Sequence, residues 1–432
     1  MKICMFTNTF LPHVGGVARS VATFAEDLRK RGHEVLVVAP TFADLDQTKE
    51  DPSQVVRVPA IQNFNGSDFS VRLLLPKQFS AQLDRFAPDI IHSHHPFLLG
   101  DAAIRAAHFR GLPVVFTHHT LYERYTHYVP FDSHVMQRFV IELATRFANL
   151  CQRVIAPSES IAELLKKRGV MTPCRVVPTG VDTDYFGHGT GRHFRQELQI
   201  APEAFVLGHL GRLAPEKNLA YLTSAAIKTC QALDNAIFLV AGTGSAKDKV
   251  QADFTAAGLA DRLVMTGKLQ GDDLVDCYAA MDLFVFASTS ETQGMVLTEA
   301  MAAGRPVIAL DAPGAREVVV DQINGRLLAQ TATVNEFAKS IIDAPTASNR
   351  LDEWQQQALQ TAKEFSRQSS AERLEAVYRE TLESTQNGQV ARLDGLDALL
   401  ESLRTEWDLV SSKFAAAIEA VSDHSEDHGE QA

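Results

Sequence analysis

A chain of 432 residues has room for two or three domains, and 45% hydrophobic with 22% charged residues is the balance of a soluble globular protein. The net charge of −12 argues against nucleic acid as the main partner, because binding a phosphate backbone needs a basic surface. The five cysteines (Cys4, Cys151, Cys174, Cys230, Cys277) are odd in number, scattered and without C-x-x-C spacing, which fits a reduced cytoplasmic setting and predicts neither a disulfide framework nor a thiolate metal site.

The opening stretch MKICMFTNTF lacks the long apolar core and cleavage site of a signal peptide and is expected to form a first strand. No run approaches the roughly 18 apolar residues of a membrane span, so the expectation is a soluble protein that at most rests on a membrane surface. Strands are predicted at 2–7, 34–39, 89–93, 113–117 and 153–158, with helical patterns between most of them. The first helix carries Val17, Val21, Phe24 and Leu28. Continuous apolar strands alternating with helices predict βαβ units and a parallel sheet covered on both faces. The pattern weakens over 182–204, read as a linker, and restarts with strands at 205–211, 236–242, 262–267, 283–288 and 305–310. After about 350 the chain turns helical. The expected architecture is α/β: two Rossmann-like, doubly wound domains, residues 1–190 and 200–365, with a ligand crevice at the C-terminal edges of their strands.

The tail 388–432 carries Leu396, Leu400, Leu403, Trp407, Val410, Phe414, Ala417 and Val421 at 4-3-4-3 spacing, a seam at the heptad period. Such a seam packs a helix on the body of the protein or pairs two copies of the chain. Its acidic character argues against anionic lipid as the target, and the last residues, SDHSEDHGEQA, read as disordered.

Several groups could carry chemistry. Gly15 and Gly16, between the first strand and its helix, would let a backbone approach a ligand and would bare helix N-terminal amides, an anion site, though a glycine turn there is commonplace. In GHLGRLAPEKNLAYL a strand delivers Arg212, then Pro215, then Lys217 at a helix start. That is against the macrodipole preference for acids, so the two cations suggest an anionic ligand; the plainer reading is a solvated charged turn. Histidines crowd into IIHSHHPF (His92, His94, His95) and FTHHTLYERYTHY (His118, His119, His127) without the spacing of a familiar metal class, so one or two are expected to touch ligand as neutral imidazoles. Gly242-Thr243-Gly244 is the nearest match to a dinucleotide fingerprint, but Lys247 stands where the third glycine belongs.

ETQGMVLTEA (291–300) places Glu291 and Glu299 eight residues apart. On one continuous helix the rise would separate them by about 12 Å, too far for shared work on one bond, where paired carboxylates sit roughly 5–10 Å apart. The flanking pattern instead predicts a loop over 288–294 and a helix from Met295 to Ala303. Free amides of Gly294, Met295 and Val296 would then lie between the two carboxylates. Helix amides suit a diphosphate and carboxylates suit sugar hydroxyls, a combination that a nucleotide sugar offers.

Two βα domains, the GG loop, GRLAPEKN and the E-x7-E stretch together resemble a retaining glycosyltransferase of the GT-B fold, family 4, over most of residues 1–385. The resemblance implies that Glu291 contacts the transferred hexose, Glu299 holds the ribose, and Arg212 and Lys217 bind the diphosphate. It also implies that His119 lies near the donor sugar, Gly16 near the diphosphate, and the Gly267-Lys268 turn at the base. A last helix near 366–385 would cross back to the first domain. The implied reaction retains anomeric configuration through a front-face path, needs no cofactor or obligatory metal, and stabilises the leaving group with cations and helix amides. Gln293 departs from the aromatic or leucine common at that position, and ETQG with THHTLYERYTHY resembles members that glycosylate diacylglycerol. On that resemblance Gly15, His94 and Tyr122, with Tyr125 and Tyr128, form the acceptor side; alternatively the tyrosines only pack the domain. The expected donor is UDP-glucose, with GDP-mannose its rival, and the acceptor a lipid or sugar. Other readings are a sucrose-type synthase or epimerase, and a catalytically silent nucleotide-sugar-binding protein.

Overall fold

The computed structural model describes residues 1–13, 15–42, 50–61, 71–72, 77–124, 134–346 and 349–387. The tail seam and the region of Tyr125, His127 and Tyr128 lie outside them. The chain divides into two compact units, Met1–Thr179 with Ser370 onward, and Gly180–Ser369.

In the first unit the strands are β1 (Lys2–Phe6), β2 (Glu34–Pro40), β3 (Val55–Val58), β4 (Ala60–Ile61), β5 (Val71–Arg72), β6 (Ile90–Ser93), β7 (Val114–Thr117), β8 (Arg153–Ala156) and β9 (Cys174–Val176). Seven of them form a parallel sheet in the order β3-β2-β1-β6-β7-β8-β9, while β4 and β5 pair separately. Side-chain alternation splits β1 between two cores. Cys4 and Phe6 join Leu36, Ile91 and Phe116 on one face. Ile3 and Met5 join Val21, Phe24 and Leu28 of the helix Gly16–Lys30 on the other. That second face is completed by Leu374, Val377 and Tyr378, all buried, from the helix Arg367–Asn387. The Tyr378 hydroxyl bonds His92 Nδ1 at 2.6 Å, so the late helix is tied to the end of β6 by a polar contact as well as by apolar area.

The second unit repeats the plan with β10 (Phe205–Leu210), β11 (Ala236–Ala241), β12 (Leu263–Gly267), β13 (Leu283–Phe286), β14 (Val307–Leu310) and β15 (Gly325–Leu328), all parallel, in the order β12-β11-β10-β13-β14-β15. Phe284 and Phe286 face one core, Leu283 and Val285 the other.

Residues 182–204, expected as a linker, are instead folded onto the second unit. They form helices Thr183–Gly187 and Gly191–Glu197, and Phe186, Phe194 and Ile200 are buried beside Tyr278. The glycines of this stretch serve close packing. A Cβ on Gly191 would stand 2.1 Å from the Ala279 carbonyl oxygen, and one on Gly189 2.8 Å from that of Val275. The edge strands β3, β9 and β15 were absent from the expectation. Each is three or four residues long, half-exposed and interrupted by an arginine (Arg57, Arg175, Arg326), so none carries an apolar run.

The Tyr378 anchor yields a graded test. Tyr378→Phe leaves the buried His92 Nδ1 unpaired and should cost about 1–3 kcal/mol, and Tyr378→Ala, which also opens a cavity, about 3–5 kcal/mol. Amide exchange of β1 and β6 is the measurement, and equal losses for the two variants would contradict this account of the contact.

Candidate active site

In each sheet the strand order reverses once, between β1 and β6 in the first unit and between β10 and β13 in the second. Loops leaving the C-terminal ends of such a pair run in opposite directions and leave a crevice, where open α/β sheets bind ligands. Many candidate residues follow these strands, whereas His119 and Tyr122 follow β7, and Gly267 and Lys268 lie at the end of β12.

In the second unit, β10 runs into Arg212 and a short 3-10 turn, Pro215–Lys217, closed by Asn218 in the left-handed conformation (φ 55°). β13 runs into Ser288, Ser290 and Glu291. The two loops are stitched together: Asn218 Nδ2 donates to the Ala287 carbonyl at 3.2 Å, and Ser290 Oγ to the Glu216 carbonyl at 3.1 Å. Across them Lys217 Nζ donates to Glu291 Oε1, which also accepts from Ser288 Oγ at 2.8 Å. The side chains of this ion pair are 16% and 18% exposed. Burial pushes the Glu291 carboxyl up, but the Lys217 charge and hydrogen bond, with the Ser288 hydroxyl, outweigh it and hold the group below the usual carboxylate value. Glu291 is therefore an ionised acceptor, not an acid. Arg212 pairs with Glu216 and is 44% exposed, a contact of small energetic weight.

Behind Glu291 the chain turns at Gly294 (φ 73°), which precedes the helix Met295–Ala302. The predicted loop and helix are both present, and the amides of Gly294, Met295 and Val296 occupy the helix start. Glu299 lies inside the helix, 2% exposed, and accepts from the Tyr278 hydroxyl at 2.8 Å. Gln293 is buried as well. Gly314 backs the loop: a Cβ there would lie 2.8 Å from Glu291 Cβ. Gly267 ends β12 at φ 76° and Lys268 beside it is exposed. The Gly242-Thr243-Gly244 stretch lies against the first loop, with Leu213 N donating to Thr243 O at 2.8 Å. A Cβ on Gly242 would collide with the Gly211 carbonyl oxygen at 1.9 Å, so these glycines allow backbone to meet backbone.

In the first unit the histidine-rich segments sit at the ends of β6 and β7. His94 Nδ1 and His119 Nε2 share a hydrogen bond of 2.9 Å. His92 Nε2 bonds Thr117 Oγ1 at 2.7 Å, and the Asn8 amide donates to His95 Nδ1 at 3.1 Å. Burial depresses His92, His95, His118 and His119 to about 3, and His94 well below its ordinary value. All five are neutral near pH 7; four of them hydrogen-bond through the ring, and His118, with both nitrogens unpartnered among the described residues, packs against Phe116 and Tyr122. Tyr122 packs edge-on against Phe97 and His118, with its hydroxyl buried. Gly15 and Gly16 open the helix Gly16–Lys30 with no side-chain cap, and a Cβ on Gly16 would meet nothing within 4 Å. Among the described residues no group of three or more His, Cys, Asp or Glu side chains is placed to hold a metal ion, and no helix is long and apolar enough to cross a membrane.

Sequence reasoning did not single out Ser288, Asn218, Tyr278, Gly314 or His209, which shape the second-unit site. Only Gly314 had a visible signal, the Pro-Gly pair at 313–314.

Two α/β units with cation-bearing and carboxylate-bearing loops at a strand-order reversal define a nucleotide-sugar-dependent glycosyltransferase. Residues 14–185 match the model of glycosyltransferase family 4 and residues 192–361 that of glycosyl transferases group 1. The α-monoglucosyldiacylglycerol synthase of Streptococcus pneumoniae is 31% identical, over 82% of this chain and 80% of that one. A GDP-mannose-dependent α-mannosyltransferase of Mycobacterium tuberculosis is 30% identical, over 80% and 87%. Among solved structures, Anabaena HepE in complex with UDP superposes with a TM-score of 0.71 at 22% identity, covering 88% of this chain and 100% of that one. The chain belongs to the family 4 glycosyltransferases of GT-B fold, and it is an enzyme that transfers sugar from a nucleotide sugar.

The neutral histidines make the first unit acid-sensitive. Their folded pKa values lie below the ordinary 6.5, so the unfolded chain binds more protons between about 6.5 and 3. Stability is full above 6.5 and falls as pH drops, by up to about 1.4 kcal/mol per pH unit for each such histidine. Amide exchange of β6 and β7 at pH 7 and 5.5 should register the loss, with a shallower slope in His118→Phe. A flat profile would refute the buried neutral assignment.

Proposed function

We propose that the protein is a retaining hexosyltransferase that moves glucose from UDP-glucose to a hydroxyl of a diacylglycerol-type lipid. The observation that carries the choice of substrates is the 31% identity to an α-monoglucosyldiacylglycerol synthase over 82% of the chain. In this reading Lys217 and Arg212 take the diphosphate. Lys217 has three donors and spends at least one on Glu291 in the ligand-free state, so an arriving phosphate can share the ammonium without expelling the carboxylate. Amides of Gly294, Met295 and Val296 add fixed dipoles aimed at the same charge. Glu291 Oε2 accepts a hexose hydroxyl, Glu299 a ribose hydroxyl beside Tyr278, and the Gly267-Lys268 turn flanks the base.

The same reading assigns residues of the first unit by family resemblance: His119 to the sugar, Gly16 to the diphosphate, and Gly15, His94 and Tyr122 to the acceptor. Because Glu291 is tied to Lys217 and Ser288, it is poorly disposed to attack the anomeric carbon, which favours front-face departure and return over a covalent intermediate. Arg212 and Lys217 supply the positive charge that other transferases draw from a metal, so transfer should persist in chelator. A lipid acceptor implies work at a membrane surface. Self-association through 388–432 remains the proposal for the tail, tested by light scattering of the chain truncated at 387.

A second reading, a GDP-mannose-dependent mannosyltransferase, is favoured by the relatives of that activity at 30% and 32% identity. Thermal stabilisation separates the two: a nucleotide at a hundred times its dissociation constant adds about 2.7 kcal/mol, and UDP should do so where GDP does not. In transfer assays with UDP-glucose and diacylglycerol, Lys217→Ala and Glu291→Ala should each lose about a hundredfold or more in kcat. Activity unchanged in either variant would sink the site assignment, and transfer from GDP-mannose alone would replace the first reading with the second.

A further inference from the structure

His209, the penultimate residue of β10, is 1% exposed. Its Nδ1 lies 3.2 Å from the Val285 carbonyl oxygen. A carbonyl only accepts, so Nδ1 carries the proton. Burial, partly offset by that bond, with Lys217 pushing down and Glu291 up, brings the ring to about 4, so it is neutral at physiological pH. Nε2 therefore presents a lone pair. That atom is buried and has no hydrogen-bond partner, an arrangement a folded protein rarely keeps without a use for it. The ring runs roughly parallel to Phe284 and Phe286, with centroids 6.3 and 6.2 Å away.

What Nε2 faces is shown by Gly211. A Cβ built there would have a single neighbour within 4 Å, His209 Nε2 at 3.9 Å. Apart from its chain neighbours nothing else crowds Gly211, the residue that leads into Arg212, and Nε2, itself closed to solvent, is the polar atom nearest that side. A diphosphate carries only acceptors at neutral pH and would be repelled by a lone pair. A sugar hydroxyl would be welcomed.

We propose that His209 Nε2 accepts a hydrogen bond from a hydroxyl of the bound hexose and so recognises the sugar of the donor, separately from its nucleotide. This rests on the second-unit loops being the donor site. Asparagine and glutamine separate the two nitrogens of the ring. The asparagine amide mimics Nδ1 and keeps the bond to Val285, whereas the glutamine oxygen reaches the place of Nε2.

Calorimetric titration of wild type, His209→Asn and His209→Gln with UDP-glucose, GDP-mannose, UDP and GDP tests it, with thermal midpoints to confirm folding. For the nucleotide sugar that wild type binds, His209→Asn should weaken affinity about tenfold while the matching nucleotide diphosphate stays within about twofold. His209→Gln should remain within about threefold for both. The proposal is overturned if sugar nucleotide and nucleotide weaken together, if asparagine preserves binding where glutamine loses it, or if neither variant changes anything. Should Lys217→Ala leave nucleotide affinity intact, the donor-site reading falls and takes this one with it. Intact dependence on Lys217 with unchanged His209→Asn affinity removes this inference alone.

Discussion

The parallel pairing of β10 with β13 is the constraint on which the second-unit site depends. Neighbouring strands joined by a short crossover would send their loops the same way, and the loops would fill the space above the sheet edge. Here β10 continues toward β11 and β13 toward β14, so the chain leaves the two strand ends in opposite directions. Arg212 and Lys217 come from one departure and Glu291 from the other, although 74 residues separate Lys217 from Glu291. The same reversal at β1 and β6 brings Asn8 beside His95 and His94 beside Phe6, where their backbone and ring nitrogens bond. One topological rule, applied twice, thus places polar groups at the edge of each sheet.

The two edges solve the desolvation problem in opposite ways. In the second unit a carboxylate and an ammonium are both kept charged, each compensating the other, with Ser288 satisfying one more lone pair. Removing one partner of such a pair leaves a half-buried charge, and the cost is that of the orphan rather than of the lost attraction. In the first unit five imidazoles share a small volume and burial keeps them neutral; His92, His94, His95 and His119 bond a hydroxyl, a backbone amide or one another, while both nitrogens of His118 are buried without a partner among the described residues.

Strands long enough to be continuous apolar runs were legible in the sequence, because a strand buried on both faces has no polar alternation to hide it. The edge strands β3, β9 and β15 were not, because Arg57, Arg175 and Arg326 break runs of three or four residues. Glycine was read both rightly and wrongly. Gly294 marked a true loop-to-helix boundary with φ 73°. Gly189 and Gly191 lie in a stretch read as a linker and turned out to pack closely against the helix Asp272–Ala279. Local composition cannot separate these cases, since the neighbour that forbids a side chain is some 85 residues away. Glu291 and Lys217 were found because each sits in a stretch with its own pattern. His209 was not, since a histidine inside an apolar strand reads as core until its unpaired nitrogen and its place beside Gly211 are seen together.

On the proposed reaction, the histidine array also limits where the acceptor's proton goes. A hydroxyl that attacks an anomeric carbon must give up its proton during or just after bond formation. His119, at about 3, would be a weak recipient. A phosphate oxygen, with a second pKa of about 6 in water, starts as the more basic group, although Lys217 and Arg212 would lower it as a cation lowers a carboxylate. Glu291 is held below the ordinary carboxylate value by Lys217, so it too is the poorer base. On that reading the departing diphosphate would be the best base of these three groups, on the face the hexose has just left. A base on that face draws the acceptor to the same side, and attack from there preserves anomeric configuration. Retention would follow from the protein declining to supply a better base, with Lys217 and the helix amides holding the diphosphate in place long enough to act as one.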